Sequence, residues 1–279
     1  MFPSSSLEVG VLVTAVTVTF QFYCKFLYKY VNVPKSVRER EKIDTWWNTF
    51  VSLTHSALSS CMLIYAWYVD IDFVSDLENH FSTATVLASV FSFGYFIHDT
   101  IHMFSYRAMK NDLGMVLHHT IMLLSLGKCL HNMRYVNVLS VALFCEISSV
   151  FLHIRLLVKM SGIAEKREKL FNMICFLNIV VYVLVRFGVI IWLYRWLYDN
   201  YETMELSYFL TYSILLTLMT CVNVVYFGIL LHKDFIQSYF SKSNIKESWK
   251  QNFFFLFNLF YFIIMWFLDC SFFCFIKVF

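Results

Sequence analysis

The sequence predicts an all-α fold, a polytopic bundle of transmembrane helices, and three observations lead there. Hydrophobic residues fill 59% of the 279 positions and charged residues only 15%, an apolar excess that a soluble domain of this size has no interior to hide. The apolar residues fall into runs near the ~20 positions that a helix needs to cross a bilayer. Lys and Arg collect in alternate connections, as expected where positive charge stays on the cytosolic side.

Eight runs stand at roughly 7–28, 50–69, 83–106, 113–130, 134–157, 170–197, 205–231 and 252–276. The first follows residues 1–6, which lack positive charge, and is long enough to span, so it reads as a retained signal anchor. The connection 29–49 carries Lys29, Lys35, Arg38, Arg40 and Lys42, whereas 70–82 carries Asp70, Asp72, Asp76 and Glu78 with no Lys or Arg. The fourth run is short and interrupted by His118 and His119, which suits a tilted, broken or enclosed helix. The eighth is rich in Phe and is a candidate C-terminal helix. Basic residues number 15 on one side of the predicted membrane and 3 on the other, which places the N-terminus outside and loops 29–49, 158–169 and 232–251 in the cytosol. If the eighth run does not cross, the C-terminus moves to the cytosol and the rest stands.

Trp46, Trp47, Trp192 and Trp196 lie near predicted helix ends and read as interfacial anchors. Cys61, Cys145, Cys175, Cys221, Cys270 and Cys274 lie in apolar runs without metal-type spacing and read as small buried hydrophobes. The loops are short, and no internal repeat or broken Gly/Pro helix of the transporter kind is visible. Nucleic-acid binding has no support.

Ionisable residues within spans are expensive and mark functional sites by default. Phe93-Gly94-Tyr95-Phe96-Ile97-His98-Asp99-Thr100-Ile101-His102 lies on the third span and Leu117-His118-His119-Thr120 on the fourth. On a helix His98 and His102 share a face, and Asp99 neighbours His102. His118 and His119 point about 100° apart, so at most one faces the bundle axis squarely. Glu146, Ser149 and His153 form one stripe of the fifth span, with Arg155 close by. His55, Asn178, Arg186 and Asn223 complete the polar interior. The competing readings are ordinary ones: His98, His102 and His131 solvated near the interface, Arg155 snorkelling at a helix end, and the two asparagines bonding between helices.

Three uses of such a site are open. In acyl transfer, a histidine serves as general base or transient acyl carrier and a carboxylate orients it. Iron held by histidines, as in membrane oxygenases, would need further His-rich clusters, so no metal is expected. A polar cavity that binds a lipid headgroup or specifies packing is the third.

The stretch Gly94-Tyr95-Phe96-Ile97-His98-Asp99, followed by His118-His119, resembles the TLC domain family of translocating-chain-associating, longevity-assurance and ceroid-lipofuscinosis proteins. That resemblance implies a six-helix barrel around a polar cavity entered by acyl chains. It divides the chain into an N-terminal helix and cytosolic loop (1–45), a TLC domain (46–231), and a basic loop with the Phe-rich segment (232–279). Within the family, Trp47-Asn48-Thr49-Phe50-Val51-Ser52-Leu53-Thr54-His55-Ser56 and Glu146-Ile147-Ser148-Ser149-Val150-Phe151-Leu152-His153-Ile154-Arg155-Leu156-Leu157 are similar to the branch that controls membrane fluidity. The similarity implies regulation of phospholipid fatty-acid composition, limiting polyunsaturated chains, at the plasma membrane, with the endoplasmic reticulum as the alternative. The paired aspartates that close the ceramide synthase signature do not follow Thr120-Ile121-Met122-Leu123-Leu124-Ser125-Leu126-Gly127, and the homeodomain-like insert is missing, which argues against ceramide synthesis. The alternative function is an acyl-coenzyme A-dependent lipid acyltransferase. His118, His119 and Asp99 are its candidate catalytic residues, and His98, His102, Glu146, His153 and Arg155 its candidate substrate-binding residues. No cofactor is expected beyond acyl-coenzyme A as co-substrate, and the expected partners are membrane phospholipids and their acyl chains.

Overall fold

The computed structural model describes residues 6–39, 42–70, 76–105 and 113–236. The expected helix over 252–276 lies outside these residues, as do Asp72, Cys270, Cys274 and most of the basic loop 232–251. The described residues form an all-α polytopic bundle with seven helical spans long and apolar enough to cross a membrane.

In chain order the elements are α1 (Ser6–Tyr30), α2 (Lys35–Glu39), α3 (Ile43–Val69), α4 (Thr83–Ser105), α5 (Leu113–Asn132), α6 (Val136–Leu143), α7 (Glu146–Met160), α8 (Ile163–Lys166) and α9 (Glu168–Val181). A π-helical stretch, Tyr182–Phe187, leads into α10 (Gly188–Asn200), and α11 (Leu206–Leu231) ends in a second one, His232–Ile236. The chain divides after Asn178 into two compact units.

Four details refine or correct the run-length reading. α3 begins at Ile43 rather than near 50, and Trp47 turns inward, 2% exposed beside Tyr28 at 6.0 Å, instead of anchoring at the interface. α5 runs unbroken through His118 and His119. The break falls in the next span, where Phe144, Cys145, Ile147 and Ser148 each donate to the carbonyl three residues back, tightening the helix between α6 and α7. Of the cysteines expected to be buried, Cys175 is and Cys145 is half-buried, but Cys61 and Cys221 are exposed, because apolarity encodes depth in the membrane and not the face of the helix.

In lipid, helices associate through close packing and hydrogen bonds rather than apolar burial. The first unit uses both. Buried serines gather where α3, α4 and α7 meet: Ser52, Ser56, Ser59 and Ser60 on α3, Ser89 and Ser92 on α4, Ser148 and Ser149 on α7. The Ser59 and Ser92 hydroxyls lie 3.0 Å apart. α1 and α4 run parallel, with Val9 and Val13 clustered against Val86 and Val90 near one end, and Thr17 bonded at 3.0 Å to the Gly94 carbonyl further along. A Cβ on Gly94 would lie 2.7 Å from Val16 Cβ and 3.0 Å from the Val13 carbonyl oxygen, so this glycine sets how closely α1 approaches.

The ends of α3 and α4 are tied at the side read as external. Asp70 holds His80 at 3.0 Å through both carboxylate oxygens. Glu78 pairs with Arg134, and its carbonyl accepts the Tyr135 amide at 2.8 Å. These contacts hold a strained turn in which Met133 (φ 51°) and Tyr135 (φ 60°) are both left-handed.

In the second unit, Arg186 stands within the π-helical stretch, a feature frequent at functional sites. It donates to Asn223 Oδ1 at 2.7 Å and stacks over Tyr182 at 5.0 Å, while the Tyr182 hydroxyl donates to the Asn223 carbonyl at 2.9 Å. Asn223 therefore joins helices as expected. The side chain of Asn178, fully buried at the end of the first unit, makes no hydrogen bond among the described residues, so the expected bond between helices is not formed there.

Candidate functional site

The polar residues of α4 divide between two faces. Asp99 reaches across to α5, where its Oδ2 stands 3.2 Å from His119 Nε2, and both side chains are buried. Of the adjacent histidines, His119 is the one that turns inward, at 4% exposure. His118 is half-buried, 5.6 Å from His119 between ring centroids and 6.1 Å from Phe96.

With Nε2 directed at a carboxylate, the neutral imidazole carries its proton there and keeps the Nδ1 lone pair. That Nδ1 is buried and has no hydrogen-bond partner among the described residues, and neither has Asp99 Oδ1. The pair thus leaves an unengaged base on one side and an unengaged acceptor on the other.

A second acid–histidine pair lies on the far side of Phe96. Glu146, at the start of α7, accepts a 2.7 Å hydrogen bond from Ser56 and lies 3.8 Å from His55 Nδ1. His55 is stacked on Tyr95 at 3.8 Å, with the rings 8° from parallel, and the Tyr95 hydroxyl donates to Ser52 at 2.9 Å. Phe96 stands between the pairs, 5.5 Å from the His55 ring and 5.7 Å from the His119 ring. The tightened turn ahead of α7 sets the direction in which Glu146 leaves the backbone.

The other expected residues sit as follows. Arg155 is buried at 4% exposure rather than snorkelling, and His153 is half-buried on α7. His98 and His102 are also buried, their rings 6.2 Å apart, on the α4 face toward α1 and not at the Asp99–His119 pair. His131 is exposed. Residue reading placed His55 in the interior but missed it, with Ser56 and Tyr95, as a site residue. The available signal was the alternation of serine, threonine and histidine at helical spacing along α3.

The TLC domain profile matches residues 45–232, two thirds of the chain, and takes in both acid–histidine pairs. The chain belongs to the TLC domain family. It is similar to TLC domain-containing protein 2 of Danio rerio, 30% identical over 207 residues that cover 74% of this chain and 83% of that protein. It is similar to TLC domain-containing protein 1 of Gallus gallus, 28% identical over 74% of this chain and 80% of that protein. TLC domain-containing protein 1 of Homo sapiens is 27% identical over 85% of this chain and 94% of its own length. TLC domain proteins are membrane proteins linked to lipid metabolism. α1 precedes the matched region, and six of the seven spans fall within it, give or take two residues at either edge.

Proposed function

We propose that this chain regulates the fatty-acid composition of membrane phospholipids, limiting polyunsaturated chains and so membrane fluidity, with the plasma membrane as its residence and the endoplasmic reticulum as the alternative. The observation that carries this reading is the buried Asp99–His119 pair inside a membrane bundle of a family linked to lipids. A carboxylate and an imidazole at that depth cost free energy that packing alone does not require.

One observation favours chemistry over passive binding: His119 Nδ1 is left without a hydrogen-bond partner among the described residues while Nε2 is held by Asp99. As an acyltransferase, the chain would use Nδ1 to take the proton from an acceptor hydroxyl as its oxygen attacks the thioester of acyl-coenzyme A. The carbon–sulfur bond then breaks, and the imidazolium returns the proton to the leaving thiolate. Asp99 holds the ring in the required tautomer and stabilises its cation.

The experiment is acyl profiling of phosphatidylethanolamine and phosphatidylcholine in cells lacking the protein, rescued with wild type, His119→Ala or His118→Ala at matched expression. Wild type and His118→Ala should restore the profile and His119→Ala should not. A profile unchanged by deletion under a saturated-fat load overturns the regulatory reading. Full rescue by His119→Ala removes acyl transfer and leaves lipid binding.

A further inference from the structure

A cleft of about 460 Å³ opens between α1 and α4, on the α4 face opposite Phe96's histidine neighbours, and neither acid–histidine pair lines it. Its rim carries Lys25 and Lys29 of α1, both exposed. Its wall carries His98 and His102 of α4, with Gln21 and Ser105 beside them. His98 is 4% exposed, and both of its ring nitrogens lack a hydrogen-bond partner among the described residues. A buried imidazole with both nitrogens unmet is costly, and because both are shielded as the ring stands, a ligand in the cleft meets them by a turn of the imidazole.

The position of the cleft narrows the ligand. Lys29 and Ser105 lie within one residue of the ends of their helices, and His98 lies seven residues, about 10 Å at 1.5 Å per residue, further in. The cleft therefore runs from the headgroup level toward the acyl level, in the leaflet facing the basic loop 29–49. Exposed apolar side chains stand along the same two helices from the headgroup level inward: Phe26 and Phe22 on α1, Phe104 and Ile101 on α4, with Ile101 lining the cleft itself. Among the described residues no carboxylate lines it: Asp99, next to His98 in the chain, is turned to His119 on α5, and Asp44 accepts from the hydroxyl of Tyr28 at 2.6 Å.

We propose that this cleft binds the phosphate of an anionic glycerophospholipid, with Lys25 and Lys29 at the charge, the His98 and His102 rings turning to donate from the wall, and the acyl chains along the flanking apolar side chains. Long cationic side chains at a membrane interface suit such a headgroup, and the attraction weakens with salt. A soluble phosphate would meet the same cations but would leave the apolar flanks unused. Because α1 lies outside the matched TLC region, the site is built jointly by this extra helix and the domain. The assignment stands whether or not His119 transfers acyl groups.

The test uses the full chain purified in neutral detergent, titrated with dioctanoyl phosphatidic acid, dioctanoyl phosphatidylcholine or inorganic phosphate, and read by binding and by thermal shift. Phosphatidic acid should bind at least ten-fold more tightly than phosphatidylcholine and raise Tm. The surface variant Lys25→Gln/Lys29→Gln should weaken phosphatidic acid binding about 10–30-fold, while His119→Ala leaves it unchanged. His98→Gln should weaken it as well, and the lysine variant keeps the test decisive if that buried change prevents folding. Equal binding of both lipids, binding of phosphate as tight as of lipid, or undiminished binding by the lysine variant overturns the proposal.

Discussion

At the residue scale, the choice between two adjacent histidines decides the chemistry. Their 100° separation means that one side chain faces the interior, and the structure selects His119 for Asp99. If the pair works as a general base, Asp99→Asn should lower acyl-transfer rate by about 10²–10⁴-fold by presenting the wrong tautomer, with little change in Tm. Rate and thermal unfolding, measured on one detergent preparation, check this; a rate within three-fold of wild type removes Asp99 from the mechanism. His119→Ala should lose a similar factor, and His118→Ala less than ten-fold. The polar types were legible in the sequence because a buried charge in lipid is rare enough to notice. The partners were not: Asp99 reads locally as a neighbour of His102, three positions on, yet it bonds across to another helix. His55 was passed over because its acid, Glu146, stands 91 positions away and is aimed by a helix break that has no glycine or proline to announce it.

At the scale of elements, the lengths of the spans follow from hydropathy, since each run must cover the same bilayer. The faces do not follow, because lipid-facing and protein-facing positions are equally apolar; Trp47 inside and Cys61 outside are the two cases. Small residues are the better guide to contact. Gly94 is such a position, and Gly94→Ala should destabilise the α1–α4 pair by about 1–3 kcal/mol, since the added methyl meets Val16 and the Val13 backbone. Thermal unfolding in detergent would show it, and Val16→Ala should relieve part of the cost; an unchanged Tm would mean that α1 shifts freely. In the second unit, Asn223→Leu removes an acceptor from both Arg186 and Tyr182 and should cost about 1–3 kcal/mol. Combining it with Arg186→Met should cost less than the sum of the two single changes, because the buried charge goes with its acceptor. Additive losses would show that the two side chains are energetically independent.

At the scale of the whole molecule, the asymmetry of Lys and Arg predicts which way the chain is oriented, and the parallel run of α1 and α4 fits the count of crossings, since the first and third run the same way in either orientation. An epitope placed before α1 should be labelled on intact cells, whereas one in the turn at Gly162 should be labelled only after permeabilisation. The reverse pattern would invert the bundle and move the α1–α4 cleft to the other leaflet. The docking of α1 on Gly94 also has a consequence for synthesis. Thr17 and Gly94 are 77 residues apart, so at ~5–20 residues per second the ribosome leaves α1 in the bilayer for roughly 4–15 s before its seat emerges. α1 is the least buried of the seven spans, with Leu7, Val11, Val18 and Phe22 turned outward, and it can wait among lipids without loss. Its Thr17 hydroxyl meanwhile bonds within its own helix, to the Val13 carbonyl, at 2.9 Å, so that this hydroxyl is not stranded before the third span arrives.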